Sequence, residues 1–212
     1  ARPALWILFL VSVCWCFWIL KGKLRLESRQ DYVPVSWSYM KAADFLPDLV
    51  ETGIAVTKIC ADKPFLYGYL SEDKDSFQIA DPSIRALEPG LSALWVNRTS
   101  RCCQNGGHVI DVGGHFGYYS LLSAAMGCSF TAFEPVPMFS SVFRMNTLMN
   151  GLGDQNQVLR VAVGSTQEMV EMTVPTSGVF GLARVKGNYP SLDSAADVSI
   201  TVPMVTLDDM HF

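Results

Sequence analysis

Asp111, Gly113, Gly114, His115 and Gly117 fall together in one short stretch, and Glu134 closes the next apolar run. An acid just ahead of a glycine-rich turn, with a second acid one strand later, makes a pair of carboxylates able to accept hydrogen bonds and attract positive charge. Val109, Ile110 and Val112 form a short apolar run that reads as a strand buried on both faces. Gly113, Gly114 and Gly117 remove the Cβ atoms that would keep a ligand away from the turning backbone. From Phe116 the spacing becomes helical, with Phe116, Tyr119 and Leu122 or Ser123 about one turn apart. Strand, glycine turn and helix form the part of a doubly wound fold where a nucleotide-like ligand meets a helix N-terminus. A second strand, Phe130 to Phe133, ends in Glu134, a carboxylate placed to accept the two hydroxyls of a ribose.

The register of the glycines narrows the ligand. A dinucleotide fingerprint spaces them G-x-G-x-x-G so that the backbone touches a pyrophosphate. Here the order is Gly113-Gly114-His115-Phe116-Gly117, and Asp111 stands where it would repel a phosphate. That acid suits a ligand with positive charge near the turn. S-adenosylmethionine is one, with an ammonium, a sulfonium and a ribose but no phosphate.

The run Asp111-Val-Gly-Gly-His-Phe-Gly-Tyr-Tyr-Ser-Leu121, then Ala132-Phe-Glu-Pro-Val-Pro137, then Asn146 and Asn150 before Gly151-Leu152, resembles the FkbM family of S-adenosylmethionine-dependent methyltransferases. The resemblance covers roughly Cys102 to the C-terminus. The family pattern carries asparagine where this chain has His115, a residue that can also donate to a carboxylate. The resemblance implies an α/β fold with a Rossmann-like class I methyltransferase sheet. It also implies S-adenosyl-L-methionine as cofactor, seated by Asp111, Gly113, Gly114, His115, Gly117 and Glu134, and O-methylation of a hydroxyl on a small molecule or glycan. No residue is assigned as a general base. In the family, a Leu-Asp-Asp stretch such as Leu207-Asp208-Asp209 leads into a fourth core strand with Lys-Ile-Asp-x-Glu-Gly. The chain therefore reads as a fragment, truncated after the third core strand, that holds the cofactor half. Two rivals stay open: a nicotinamide-dependent oxidoreductase and a non-catalytic, membrane-tethered Rossmann-like binding module.

The other elements follow in order. Residues 1–20 read as a single-pass transmembrane anchor, because Ala4 to Leu20 carry no charge and include Trp6, Trp15 and Trp18. Lys21, Lys23, Arg25 and Arg29 outnumber Arg2 and favour a cytosolic C-terminal side, whereas the sequon Asn97-Arg98-Thr99 has meaning only for a lumenal one. Residues 21–40 read as a juxtamembrane linker broken by Pro34. Residues 41–105 read as a helical and hairpin region. In it, Phe45, Leu49, Ile54 and Val56 suit a short helix with a turn at Gly53. Pro64–Leu70 and Ser76–Ile79 suit the two arms of a β-hairpin. Pro82 to Leu94 suits a helix interrupted at Pro89-Gly90.

Residues 106–212 read as the cofactor-binding part of a methyltransferase domain. Three parallel strands are expected near Val109–Val112, Phe130–Phe133 and Val158–Val161, in spatial order 3-2-1 with the first strand's outer edge unpaired. A helix is expected from Pro137 to Met149, capped by Gly151. The third strand is expected to run through Val163 to Gly164. Glu168–Val174 and Val198–Val205 alternate like an antiparallel pair with an exposed loop between them, and Thr206–Met210 begins a helix.

A formal charge of −4 gives no electrostatic footprint for nucleic acid. Of the six cysteines, Cys14 and Cys16 lie in the anchor; Cys60, Cys102, Cys103 and Cys128 lack zinc-site spacing, and the three histidines are scattered. No metal is expected. A structural disulfide is consistent with a lumenal domain; vicinal cysteines such as Cys102 and Cys103 seldom bridge to each other, so each has at most a separate partner.

Overall fold

The computed structural model describes residues 54–59, 64–81, 86–187 and 197–210. The anchor over 1–20, the linker over 21–40, and the helix expected around Phe45 and Leu49 lie outside the described residues. Among the described residues, no helix is long and apolar enough to cross a membrane.

Three short parallel strands, β3 (His108–Val112), β4 (Ser129–Phe133) and β5 (Asn156–Leu159), lie side by side in the order β3-β4-β5. Val109 stands opposite Phe130, and Ala132 opposite Val158. This is the order expected from the sequence, and among the described residues β3 pairs only with β4. The protein is a mixed α/β structure with a parallel and a mixed sheet, compatible with a Rossmann-like fold.

Two helices make the crossovers, α3 (Tyr118–Met126) and α4 (Pro137–Met149). Local chemistry sets their ends. Pro137 occupies the first turn of α4, where a missing N–H is harmless, and Gly151 follows at φ 64° with its N–H on the Leu148 carbonyl. Gly127 ends α3 in the same left-handed way, its N–H on Ala124 O and the Cys128 N–H on Ser123 O.

One face of the parallel sheet, carrying Val109, Phe130, Ala132 and Val158, is buried against Phe143 of α4 and the Cys103–Cys128 disulfide. The other face of β3 is open: Ile110 is 41% and Val112 52% exposed. The expectation of a strand buried on both faces is corrected there. Side chains alternate along a strand, and only the helix side of β3 is covered among the described residues.

Upstream, β1 (Ile54–Ile59) pairs antiparallel with β2 (Phe65–Leu70), joining Ile54 to Leu70 and Ile59 to Phe65. Ile54 and Val56 thus belong to a strand, not to a helix. The hairpin partner of β2 is β1, not Ser76–Ile79. The latter segment folds into the short helix α1 (Phe77–Ala80), because the buried Asp73 carboxylate accepts the Ser76 N–H at 3.2 Å and the Ser76 hydroxyl at 2.6 Å and so turns the chain. Helix α2 (Pro89–Gln104) begins at Pro89 rather than being broken by it. Its Trp95 Nε1 donates to Ser123 Oγ of α3 at 2.9 Å.

Beyond β5 the expected third strand divides. Arg160 leaves the sheet to donate to the hydroxyls of Ser140 and Ser141, and the chain re-enters as β6 (Ala162–Val163) in a second sheet. That sheet runs β6-β9-β7-β8, with β7 (Glu168–Val174) antiparallel to β9 (Val198–Val205) as expected. The segment between them is not all exposed loop. It contains β8 (Arg184–Val185) and a 3-10 turn, Phe180–Leu182, whose Phe180 stacks on Phe139 inside the main core. Leu207–Asp209 forms one 3-10 turn.

The main core lies between the β1–β2 ribbon and helices α3 and α4, with Tyr67, Leu70, Phe116, Leu121, Phe139 and Val142 nearly or fully buried. What pins the ribbon to α4 is polar. Asn146 Oδ1 accepts the Gly68 N–H at 2.7 Å, and its Nδ2 donates to the carbonyls of Gly68 and Phe116. One turn on, Asn150 repeats the pattern on both backbone groups of Leu66. Two amide side chains at i and i+4 therefore stand in for a neighbouring strand along β2. Gly68 permits the approach, since a Cβ there would lie 2.5 Å from Met145 Cε and 2.9 Å from Asn146 Oδ1.

Asn146→Ala leaves one buried N–H and two carbonyls without their partner, at about 1–3 kcal/mol for each group left unsatisfied. Chemical denaturation of this variant should show a loss of roughly 3 kcal/mol or more; a loss below about 1 kcal/mol would contradict the joint.

Candidate functional site: a carboxylate-lined cavity at the glycine turn

The turn after β3 is built by a few backbone bonds. The N–H groups of Gly113 and Gly114 both donate to Phe133 O, at 2.8 and 3.1 Å, and the Gly117 N–H donates to Gly114 O at 2.7 Å. The glycines have separate jobs. Gly113 sits at φ 79°, and a Cβ on it would meet nothing within 4 Å, so it supplies conformation beside open space. Gly117, at φ 91°, leaves room for Phe143, whose ring would come within 2.2 Å of a Cβ. Gly114 also makes way for Phe143, at 2.7 Å.

Glu134 ties this turn to the end of β4. Its Oε2 accepts the His115 N–H and its Oε1 the Val136 N–H, each at 2.8 Å. The residue is only 4% exposed. Burial pushes its carboxyl up to about 7, against the pull of the two N–H donors, and nearby Asp111 adds to the rise. Each carboxylate oxygen keeps a second lone pair beyond these amide bonds.

Asp111, Gly113, Gly114 and His115 line a cavity of about 310 Å³, whereas Gly117 and Glu134 do not. Gly117 is a packing residue and Glu134 holds the turn from behind. Three further acids that the sequence did not single out, Asp73, Asp75 and Glu88, share the wall with Asp111, and no Lys or Arg is among the described lining residues. Asp73 is 2% exposed and spends its oxygens on Ser76 and on the Phe180 and Asp75 N–H groups. Glu88 accepts the Tyr119 hydroxyl at 3.0 Å. Asp111 accepts the Ser120 hydroxyl at 2.6 Å, yet burial still raises its carboxyl above the ordinary range. Burial also raises Asp75, with the negative charges of Asp73 and Glu88 adding to it. Carboxylates that lift one another in this way are eased by a cation.

The Asp73-x-x-Ser76 spacing was the signal available in sequence, an acid in capping position ahead of a short helix. Tyr67, whose fully buried hydroxyl is pushed well up by burial and by Asp73, lines the cavity from β2.

His115 adopts φ 51°, a left-handed conformation that Asn, Asp and His tolerate better than other side chains. Its ring lies on Phe116, centroids 3.7 Å apart, and meets the edge of Phe139 at 4.7 Å. Burial lowers the imidazole to about 4, so it is neutral at physiological pH. Its Nε2 is sealed from solvent without a hydrogen-bond partner. Among the described residues, no group of three or more His, Cys, Asp or Glu is arranged to hold a metal ion.

The chain matches no protein-family model, and no curated protein matches it.

Because folding raises Glu134 from 4.5 to about 7, the folded state holds the extra proton between those values. The carboxyl's contribution to stability is fully present below about 4.5 and is lost as pH rises through about 7. A carboxyl-carbon NMR titration should place the Glu134 midpoint near 7, and a midpoint at the ordinary 4.5 would contradict the burial described.

Proposed function

We propose that this chain holds the cofactor-binding site of an S-adenosylmethionine-dependent methyltransferase with a Rossmann-like class I sheet, acting on a hydroxyl of a small molecule or glycan. The observation that carries the proposal is the wall of Asp73, Asp75, Glu88 and Asp111 beside the glycine turn, with no described Lys or Arg to balance it. Such a wall favours a ligand bearing an ammonium and a sulfonium and opposes a pyrophosphate. The cavity volume, about 310 Å³, falls at the lower end of the range usual for small-molecule sites.

The residues present fit that ligand in three respects. Gly113 leaves open space where a side chain would stand. His115, neutral at physiological pH, lines the cavity without adding positive charge to it. Asp111 offers negative charge held in place by Ser120. Glu134 acts as a positioning residue, fixing the His115 amide from behind the cavity wall, and does not itself reach the cavity for the ribose contact that the resemblance implies.

S-adenosylmethionine, when bound, supplies an electrophilic methyl group for in-line displacement by an acceptor oxygen. What this chain contributes is binding, orientation and exclusion of water, which together account for much of the acceleration open to such a step. Tyr118 and Tyr119 belong to the same wall, and burial raises both hydroxyls, Tyr119 to a value where it stays protonated. They act as hydrogen-bond donors rather than bases at neutral pH.

The charge-assisted hydrogen bond by which Glu134 fixes the His115 amide at the cavity contributes about 1.5–3 kcal/mol, and each 1.4 kcal/mol is about tenfold in affinity. In calorimetry, Glu134→Ala should therefore weaken S-adenosylmethionine or S-adenosylhomocysteine binding about tenfold or more. Gly113→Val should abolish binding, since a branched residue is strained at φ 79° and fills the open space. Thermal melts should show that both variants are folded. Absence of adenosyl-ligand binding, or preference for NAD, would overturn the proposal.

A further inference from the structure

Asn97-Arg98-Thr99 is the single Asn-x-Ser/Thr triplet in the sequence, and it lies on α2. Trp95, two residues earlier, faces inward, packing on Tyr119 and donating to Ser123. At 100° per residue, Asn97 is turned about 200° away from Trp95, and it is exposed. Leu91 and Leu94 on the same helix are also open, 46% and 50% exposed. Helical side chains lean toward the N-terminus, so a group carried on Asn97 would lie over Leu94, one turn back.

A second, separate observation concerns the chemistry of the compartment. The last turn of this same helix is bonded through Cys103 to Cys128, the residue just ahead of β4, and the two cysteines are 1% and 5% exposed. Buried structural disulfides form and persist in secretory and extracellular settings and are rare in a reducing cytosol. The disulfide thus favours the lumenal side in the choice that the basic residues and the sequon leave divided.

We propose that Asn97 carries an N-linked glycan and that the domain folds on the lumenal, oxidising side of a secretory membrane. In the transfer, Asn97 Nδ2 bonds to the anomeric carbon of an oligosaccharide while that carbon's bond to a polyprenyl pyrophosphate breaks. The pyrophosphate lipid leaves, and the amide proton passes to the transferase. The step precedes formation of α2, because in the folded helix the Thr99 hydroxyl is committed to Trp95 O at 2.8 Å. Once α2 has formed, the glycan projects from the outer face and shields Leu94. This inference does not depend on the adenosyl ligand.

The full chain, translated in the presence of endoplasmic-reticulum microsomes, provides the test. The expected result is one mobility shift, removed by an amidase that cleaves N-linked glycans, in a domain protected from added protease. Asn97→Gln should abolish the shift, and Thr99→Ser should retain it. Non-reducing peptide mapping should recover the Cys103–Cys128 pair. A domain digested by protease outside the vesicles would overturn the proposal, as would a protected domain with Asn97 unmodified.

Discussion

The side chain of Asn146 is the joint on which the rest of the structure turns. It is fully buried and makes three hydrogen bonds to backbone, two to Gly68 on β2 and one to Phe116 at the exit of the glycine turn. A strand edge in a core must find partners for its N–H and C=O groups, and β2 finds them on a helix. Asn150 continues the same service to Leu66. Because both the ribbon and the turn hang on one side chain, β2 is set at a fixed height against α4. That height carries Tyr67 to the wall of the cavity that Gly113 and His115 also line. The polar bonds specify position; the surrounding Phe139, Val142 and Leu121 supply the burial.

The turn itself is held under mild conformational strain. His115 in the left-handed region is a conformation that costs about 1–3 kcal/mol for a non-glycine residue. Glu134 offsets part of this by accepting the His115 N–H from a nearly buried carboxylate. The same burial raises Glu134 and Asp111, and the charges of Asp73 and Glu88 reinforce the rise at Asp75. A polypeptide that only needed a closed core would not gather acids around one cavity. On the proposed function, these acids await a positively charged guest.

Much of this was legible from residue pattern. The parallel strands, their order, the bounds of α4 and the glycine turn depend on local signals: short apolar runs, Pro137 at a helix start, Gly151 past its end. The misjudged parts depend on contacts distant in sequence. The partner of β2 was not Ser76–Ile79, because Asp73 caps a helix there and β1 is available; the β2 edge is completed by Asn146 and Asn150, about eighty residues on. Phe180 looked like loop because nothing nearby announces that it will stack on Phe139. Nothing in the local pattern singles out Asp73, Asp75 and Glu88 as a group, and only the fold brings them beside Asp111. Cysteine spacing likewise left open that Cys103, rather than Cys102, reaches Cys128.

In the proposed function, the glycine turn and its acidic wall bind a cationic adenosyl ligand. The most direct measurement is a titration of isotopically labelled protein with S-adenosylmethionine, followed through backbone amide shifts. Saturable changes are expected, concentrated at Gly113, Gly114 and His115, with smaller ones at Asp75 and Asp111 on the same wall. Shifts confined to other parts of the fold, or none at saturating ligand, would contradict that binding.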